Sequence, residues 1–169
     1  MQDIDIKKLL QQDLENLPPE TRRQYKRYLV QLDRKQKHKK IRTDFMSFVK
    51  AMWPDFIEGY HHKIIAEKFN KIKSGEIRRL IVNMPPRHTK SEFASFLLPA
   101  WMIGGEPKLK IIQTTHTAEL SYNFGRKVRN LFDQQDFKDV YPTVSLSQDS
   151  KAAGRFTTNA GGEYFAAGS

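Results

Sequence analysis

No cysteine occurs in the 169 residues, which excludes disulfides and thiolate zinc sites. The five histidines show no paired spacing such as H-x-x-x-H, so any metal must be held by oxygen. Long apolar runs are missing too. The N-terminus, MQDIDIKKLLQQDLENL, mixes charges with leucines, and no stretch reaches the length of a signal-peptide core or a membrane span. A soluble, non-secreted, intracellular protein with no membrane partner is expected. Acid is in short supply: 19 Asp and Glu face 29 Lys and Arg, a net charge of +10, which points to a polyanionic partner and says nothing of fold. What is present is an apolar fraction of 38%, enough for the core of one ordinary domain.

The charge is concentrated. Between Glu20 and Thr43 lie ten Lys and Arg against Glu20 and Asp33 alone. Such a segment is either a solvated helix face or a nucleic-acid contact. Residues 1–17 read as a short amphipathic helix ended by Pro18-Pro19. A second helix starts at Pro19, with Tyr25, Tyr28, Leu29 and Leu32 on one side, and the pattern predicts that it dissolves in KQKHKK, a hinge. Residues 1–42 are thus expected to be a basic helical arm with its hinge, and residues 43–169 the main domain.

Within the main domain Asp44 is placed to cap a helix carrying Phe45, Phe48, Val49 and Met52, closed by Trp53-Pro54. A helix over 61–73 shows Ile64, Ile65, Phe69 and Ile72 at helical spacing, with Gly75 as its stop. LIVNM (80–84) and LKIIQTT (109–115) are continuous apolar runs of the kind expected in strands buried on both faces, and a helix with Phe93, Phe96, Leu97 and Trp101 lies between them, ended by Gly104-Gly105. Strand, helix and strand predict a βαβ unit with a right-handed crossover. TAELSYNFGRKVRNLF is a further amphipathic helix, and RFTTNAGGEYFAA reads as a hairpin around Asn159-Ala160-Gly161-Gly162.

Glycine is missing where it would matter most. A phosphate-binding loop has the pattern G-x-x-x-x-G-K-S/T, in which a flexible turn points amides inward, the lysine reaches the β and γ phosphates, and the hydroxyl binds magnesium. The stretch MPPRHTKS keeps Lys90 and Ser91 but puts Met84 and Thr89 at the two glycine positions. One reading is a ligand-free helix start, because Thr89-Lys90-Ser91-Glu92 is a T-x-x-E capping box. The other is phosphate binding. The loop joins a strand-like run to a helix N-terminus, Pro85 and Pro86 stiffen its start, the amides of Arg87 to Ser91 are left to line a cradle, and Arg87 adds a second positive charge.

Taken together, FMSFVKAMWPDF, GYHHKIIAEKF, GEIRRLIVNMPPRHTKS, TTHTAELSYNFGRKVRNLF and GRFTTNAGGEYFAAGS resemble, in that order, the ATPase domain of large terminase subunits, the DNA-packaging motors of tailed bacteriophages. The resemblance runs from about Thr43 to Ser169. Family members typically carry P-P-R-H-G-K-S, and Thr89 stands where that pattern has glycine. The fold implied is α/β, a P-loop NTPase (RecA/ASCE-like) core with a mostly parallel sheet behind the N-terminal helical arm. The activity implied is ATP hydrolysis coupled to translocation of double-stranded DNA into a procapsid in the host cytoplasm. ATP and Mg2+ are the cofactors implied. Portal protein, the small terminase subunit and a ring of further copies join DNA as partners.

By this similarity Lys90 stabilises the β and γ phosphates, Ser91 holds magnesium, Arg87 senses or polarises the γ phosphate, and His88 and Thr89 complete the loop. Tyr60 and His61, in Tyr60-His61-His62, stand where the family places an adenine-contacting motif. The alternative is that they pack and cap the helix over 61–73. Thr114-Thr115-His116, at the end of the second strand, is either ligand-facing or a helix cap. Arg126, Lys127 and Arg129 are either a solvated face or a contact to DNA or a neighbouring subunit. Arg155 is a candidate arginine finger acting in trans. No apolar run is followed by Asp-Asp or Asp-Glu, so the acidic strand end that a motor ATPase needs is not seen, nor is the family's RNase H-like nuclease domain. The chain is therefore expected to be the N-terminal piece of a longer ATPase and endonuclease, weak in ATP turnover alone. A helicase-like ATPase and a non-enzymatic basic nucleic-acid-binding module are the alternatives.

Overall fold

The computed structural model describes residues 18–168, apart from the side chains of 148–151; the helix expected over residues 1–17 lies outside the described residues. The chain divides into two compact units, Met1–Lys39 and Lys40–Ser169. Helix α1 runs from Pro19 to Thr43, with Glu20 in its first turn and Lys40 and Arg42 in its last, the polarity that the helix dipole favours. The hinge expected at KQKHKK is helical instead. Lysine and glutamine are good helix formers, and the run contains no glycine or proline to interrupt a helix already nucleated upstream.

In the larger unit, α2 (Phe45–Met52) starts at Asp44, whose carboxylate accepts the Ser47 amide at 2.8 Å. Ser47 Oγ and Asn70 Nδ2 also donate to that carboxylate. Partial burial opposes ionisation of Asp44, but these donors prevail and hold its pKa below the ordinary value. Asn70 belongs to α3 (Tyr60–Lys73) and accepts the Phe45 amide at 2.8 Å, so one polar cluster fastens α2 to α3. After α3 the chain reverses at Gly75, whose φ of +79° suits glycine best.

The core is aromatic. Phe45, fully buried, meets Phe69 at 5.0 Å, Phe93 at 5.4 Å and Trp101 at 5.4 Å, all near edge-to-face. Phe93 lies in a π-helical turn (Glu92–Leu97), which is continued by α4 (Leu98–Gly105), the helix that carries Trp101.

Strand β1 (Lys110–Thr115) leads into α5 (Ala118–Asp133), α6 (Gln135–Val140), β2 (Leu146–Lys151), β3 (Arg155–Thr158) and β4 (Glu163–Gly168). The four strands form one sheet in the order β1-β4-β3-β2. β1 and β4 are parallel, while the β3–β4 hairpin and the irregular β2–β3 pair are antiparallel. This mixed sheet corrects the expectation of a mostly parallel one. Helix α5 packs on β4 and β1, with Ser121 Oγ donating to the Ala167 carbonyl at 2.7 Å, and buries Val128, Leu131 and Phe132 in the core. On the opposite face Ile112 and its register partner Phe165 remain exposed.

LIVNM forms no strand. Leu80, Val82 and Met84 pack against the core, whereas Ile81 is 86% exposed, and among the described residues 80–84 takes no place in the sheet. The expected βαβ unit over 80–115 is therefore not formed. An apolar run specifies burial on whichever side finds a core, but a strand also needs a neighbour to complete its ladder, and 80–84 has none among the described residues.

Candidate functional site: the loop from Met84 to Ser91

The loop bridges the extended segment 80–84 and the helical stretch that begins at Lys90. Arg87 and Thr89 both have positive φ, +64° and +60°. Left-handed residues within a turn point successive amides toward one concavity, the geometry of anion-binding nests. Among the described residues, none of the amides of Arg87, His88, Thr89, Lys90 and Ser91 donates to a protein acceptor. The loop bounds a cavity of about 570 Å³ formed by the continuous stretch Met84 to Glu92, a size in the range of small-molecule sites. Five donors and an open cavity therefore coexist in a turn that has no glycine.

The charges agree with the backbone. Arg87, His88, Lys90 and Ser91 are exposed and Thr89 is half-buried. Among the described residues no carboxylate forms an ion pair with Arg87 or Lys90. The nearest acid in sequence, Glu92, is paired with Lys127 of α5. That pair anchors the π-helical turn to α5 and gives Lys127 a role inside the domain. Arg129 donates to the neighbouring Asn130 side chain at 3.0 Å.

A helix does start here, with the Phe93 amide donating to the Thr89 carbonyl at 3.0 Å, but the capping box is not formed. An N-cap residue takes extended backbone and its side chain accepts a helix amide, but Thr89 is left-handed and its hydroxyl is used elsewhere. It donates to the His88 carbonyl at 2.6 Å and lies 2.7 Å from His62 Nε2. His88 itself turns Nδ1 to the Pro86 carbonyl at 2.8 Å.

Of Tyr60, His61 and His62, it is His62 that is buried. It shares an inward face with Ile65, Ala66 and Phe69, and that helical spacing of 62, 65, 66 and 69 was the signal available in the sequence. The His62 ring is 5% exposed, stacks on Phe93 at 5.0 Å and meets Phe56 at 4.8 Å. Burial, first, and the neighbouring His61 and His88 hold its pKa below the ordinary histidine value, with Glu58 opposing.

Tyr60 and His61 do not line the loop cavity. Tyr60 is 79% exposed. His61 stacks beside His62 at 3.8 Å, faces His88 at 5.7 Å and helps line a separate cavity of about 330 Å³ with Ile64, Lys68 and the 80–84 segment. At the end of β1, Thr117 caps α5 by accepting the Leu120 amide, and Thr115 Oγ1 donates to the Thr117 carbonyl at 2.7 Å. Thr114 and His116 stay exposed. Arg155 is held by Glu163 on the adjacent strand.

Among the described residues no three His, Asp or Glu side chains are grouped to hold a metal, and no helix is long and apolar enough to cross a membrane. No protein-family model, curated protein or solved structure matches the chain.

Proposed function

We propose that this α/β domain is the ATP-binding part of a DNA-packaging motor of the large-terminase kind, with a P-loop NTPase core. The observation that carries the reading is the loop itself: five consecutive amides, from Arg87 to Ser91, unspent among the described residues, around a cavity, with two left-handed residues and two cations that have no ion pair among the described residues. Holding Arg87 and Thr89 in a conformation that side chains disfavour costs about 1–3 kcal/mol each. An anion held by the amides would help offset that cost.

The residues fit a nucleotide tail. The amides donate to phosphate oxygens, Lys90 supplies a point charge beside them, and Arg87 a planar fork suited to a terminal phosphate. Phosphoryl transfer depends chiefly on such positioning and electrostatics. Ser91 offers one hydroxyl oxygen for magnesium, which keeps several waters and is satisfied by few protein ligands when phosphates supply the rest. When bound, that ion would neutralise charge developing on the phosphates. Double-stranded DNA fits α1, where all the lysines and arginines except Arg22 are exposed. Portal protein, small terminase subunit and a ring of copies follow from the same reading.

Titration with Mg-ATP tests it. Lys90→Ala is expected to abolish measurable binding without unfolding the chain. Wild-type binding that Lys90→Ala leaves unchanged would remove the loop from the assignment, and no binding by either would transfer it to a basic nucleic-acid-binding module with no nucleotide chemistry.

A further inference from the structure

The loop is tied to α3 by a directed chain of hydrogen bonds. The Gly59 amide can only donate, and it points at His62 Nδ1 from 2.8 Å, so Nδ1 accepts and the ring proton sits on Nε2. Nε2–H then donates to Thr89 Oγ1 at 2.7 Å, and the threonine hydrogen continues to the His88 carbonyl. Each group has one role that its neighbours dictate. The ring cannot easily turn, because Phe56 and Phe93 grip it from two sides, and Gly59 leaves no room for a side chain beside His61.

We infer that His62 is a positioning residue of the phosphate loop: neutral and protonated at Nε2, it holds Thr89 in the left-handed backbone that glycine would otherwise supply, and so keeps the Arg87–Ser91 amides free. The inference rests on the phosphate-binding reading above and adds how a loop lacking glycine keeps its shape. Thr89 solves with a hydroxyl tether what glycine solves with conformational freedom. A β-branched residue at positive φ is otherwise an outlier without support. Protonating Nδ1 would set two donors against each other at the Gly59 amide and break the chain at its first link. The titratable groups facing the ring are His61 and Glu58 on its own stretch and His88 on the loop, while Phe56 and Phe93 present no charge.

The test uses the 169-residue chain and three forms of it: wild type, Thr89→Val and Thr89→Ser. Mg-ATP affinity is measured by calorimetry from about pH 8 to about pH 5.5, spanning the range in which histidines titrate. At the upper end Thr89→Val is expected to bind about tenfold more weakly, the equivalent of one hydrogen-bond tether, and Thr89→Ser to stay within about threefold of wild type. Wild-type affinity should fall as His62 takes a proton, and the Thr89→Val profile should be flatter. A nitrogen-15 spectrum of the imidazoles should show His62 as the Nε2–H tautomer, a readout independent of nucleotide and of whether Thr89→Val folds. An Nδ1–H tautomer, or Thr89→Val binding that matches wild type in strength and pH profile, overturns the inference alone. A wild type that binds no ATP at any pH removes the phosphate reading and this inference with it.

Discussion

Arg87 and Thr89 share nearly the same unfavourable backbone, φ of +64° and +60°, yet replacing each with glycine should change stability in opposite directions. Glycine relieves left-handed strain of about 1–2 kcal/mol and costs about 0.5–1 kcal/mol in backbone entropy. Arg87 is exposed and has no ion pair among the described residues, so Arg87→Gly should stabilise by about 0.5 kcal/mol. Thr89→Gly gains the same relief but strands His62 Nε2–H, a donor on a ring only 5% exposed, and an unsatisfied buried donor costs about 1–3 kcal/mol. The net is a destabilisation of about 1 kcal/mol and a gap of about 1.5 kcal/mol between the variants. Urea unfolding followed by circular dichroism resolves this, since with a slope of about 2 kcal/mol/M the midpoints separate by about 0.75 M. If Thr89→Gly stabilises as much as Arg87→Gly, the hydroxyl is not a tether and the reasoning fails.

Phe45→Ala removes the ring on which Phe69, Phe93 and Trp101 converge. It should cost about 3–5 kcal/mol, visible as a large drop in urea midpoint, and a loss under 1 kcal/mol would deny that cluster its role. His62 has a folded pKa below its ordinary 6.5, so above that pH both states are neutral and stability is complete. As pH falls the unfolded chain takes up a proton that the folded chain resists, and stability should decline until the folded pKa is passed. Midpoints measured on both sides of that window, with His62→Gln as the variant that flattens the slope, check the sign. Replacing Lys35, Lys37 and Lys39 of α1 with Gln should weaken binding to duplex DNA and reduce its salt slope by up to about 2.7; an unchanged slope would separate this helix from the DNA contact.

Where the sequence carried its own stop and start signals, the elements were legible. Asp44 before Phe45 fixed a helix start through its side-chain oxygen, Gly75 marked a helix end, and Asn159 to Gly162 marked a hairpin, whereas the cap of α5 is Thr117, just past the Thr114-Thr115-His116 stretch that offered itself for that role. Elements that depend on distant partners were not. LIVNM has the composition of an inner strand, but pairing is a property of two segments, and among the described residues no second one pairs with it. KQKHKK has the charge of a linker but the helix propensity of its lysines and glutamine, and the latter prevails. At the loop, the sequence pointed to Arg87, Lys90 and Ser91, yet it cast Thr89 as a defect. Its hydroxyl meets His62, 27 positions away, a contact no local pattern encodes. Tyr60 and His61 form an aromatic and imidazole pair in the sequence, whereas burial selects the next residue along.

The claim that matters most is that the main-chain donors from Arg87 to Ser91 receive phosphate. Amide resonances of these five residues, followed while Mg-ATP is added to the labelled chain, report on it directly. The account predicts downfield, saturable shifts concentrated at Arg87 to Ser91 and lost in Lys90→Ala. Shifts confined to the basic helix Pro19–Thr43, with the loop amides unmoved, would contradict it.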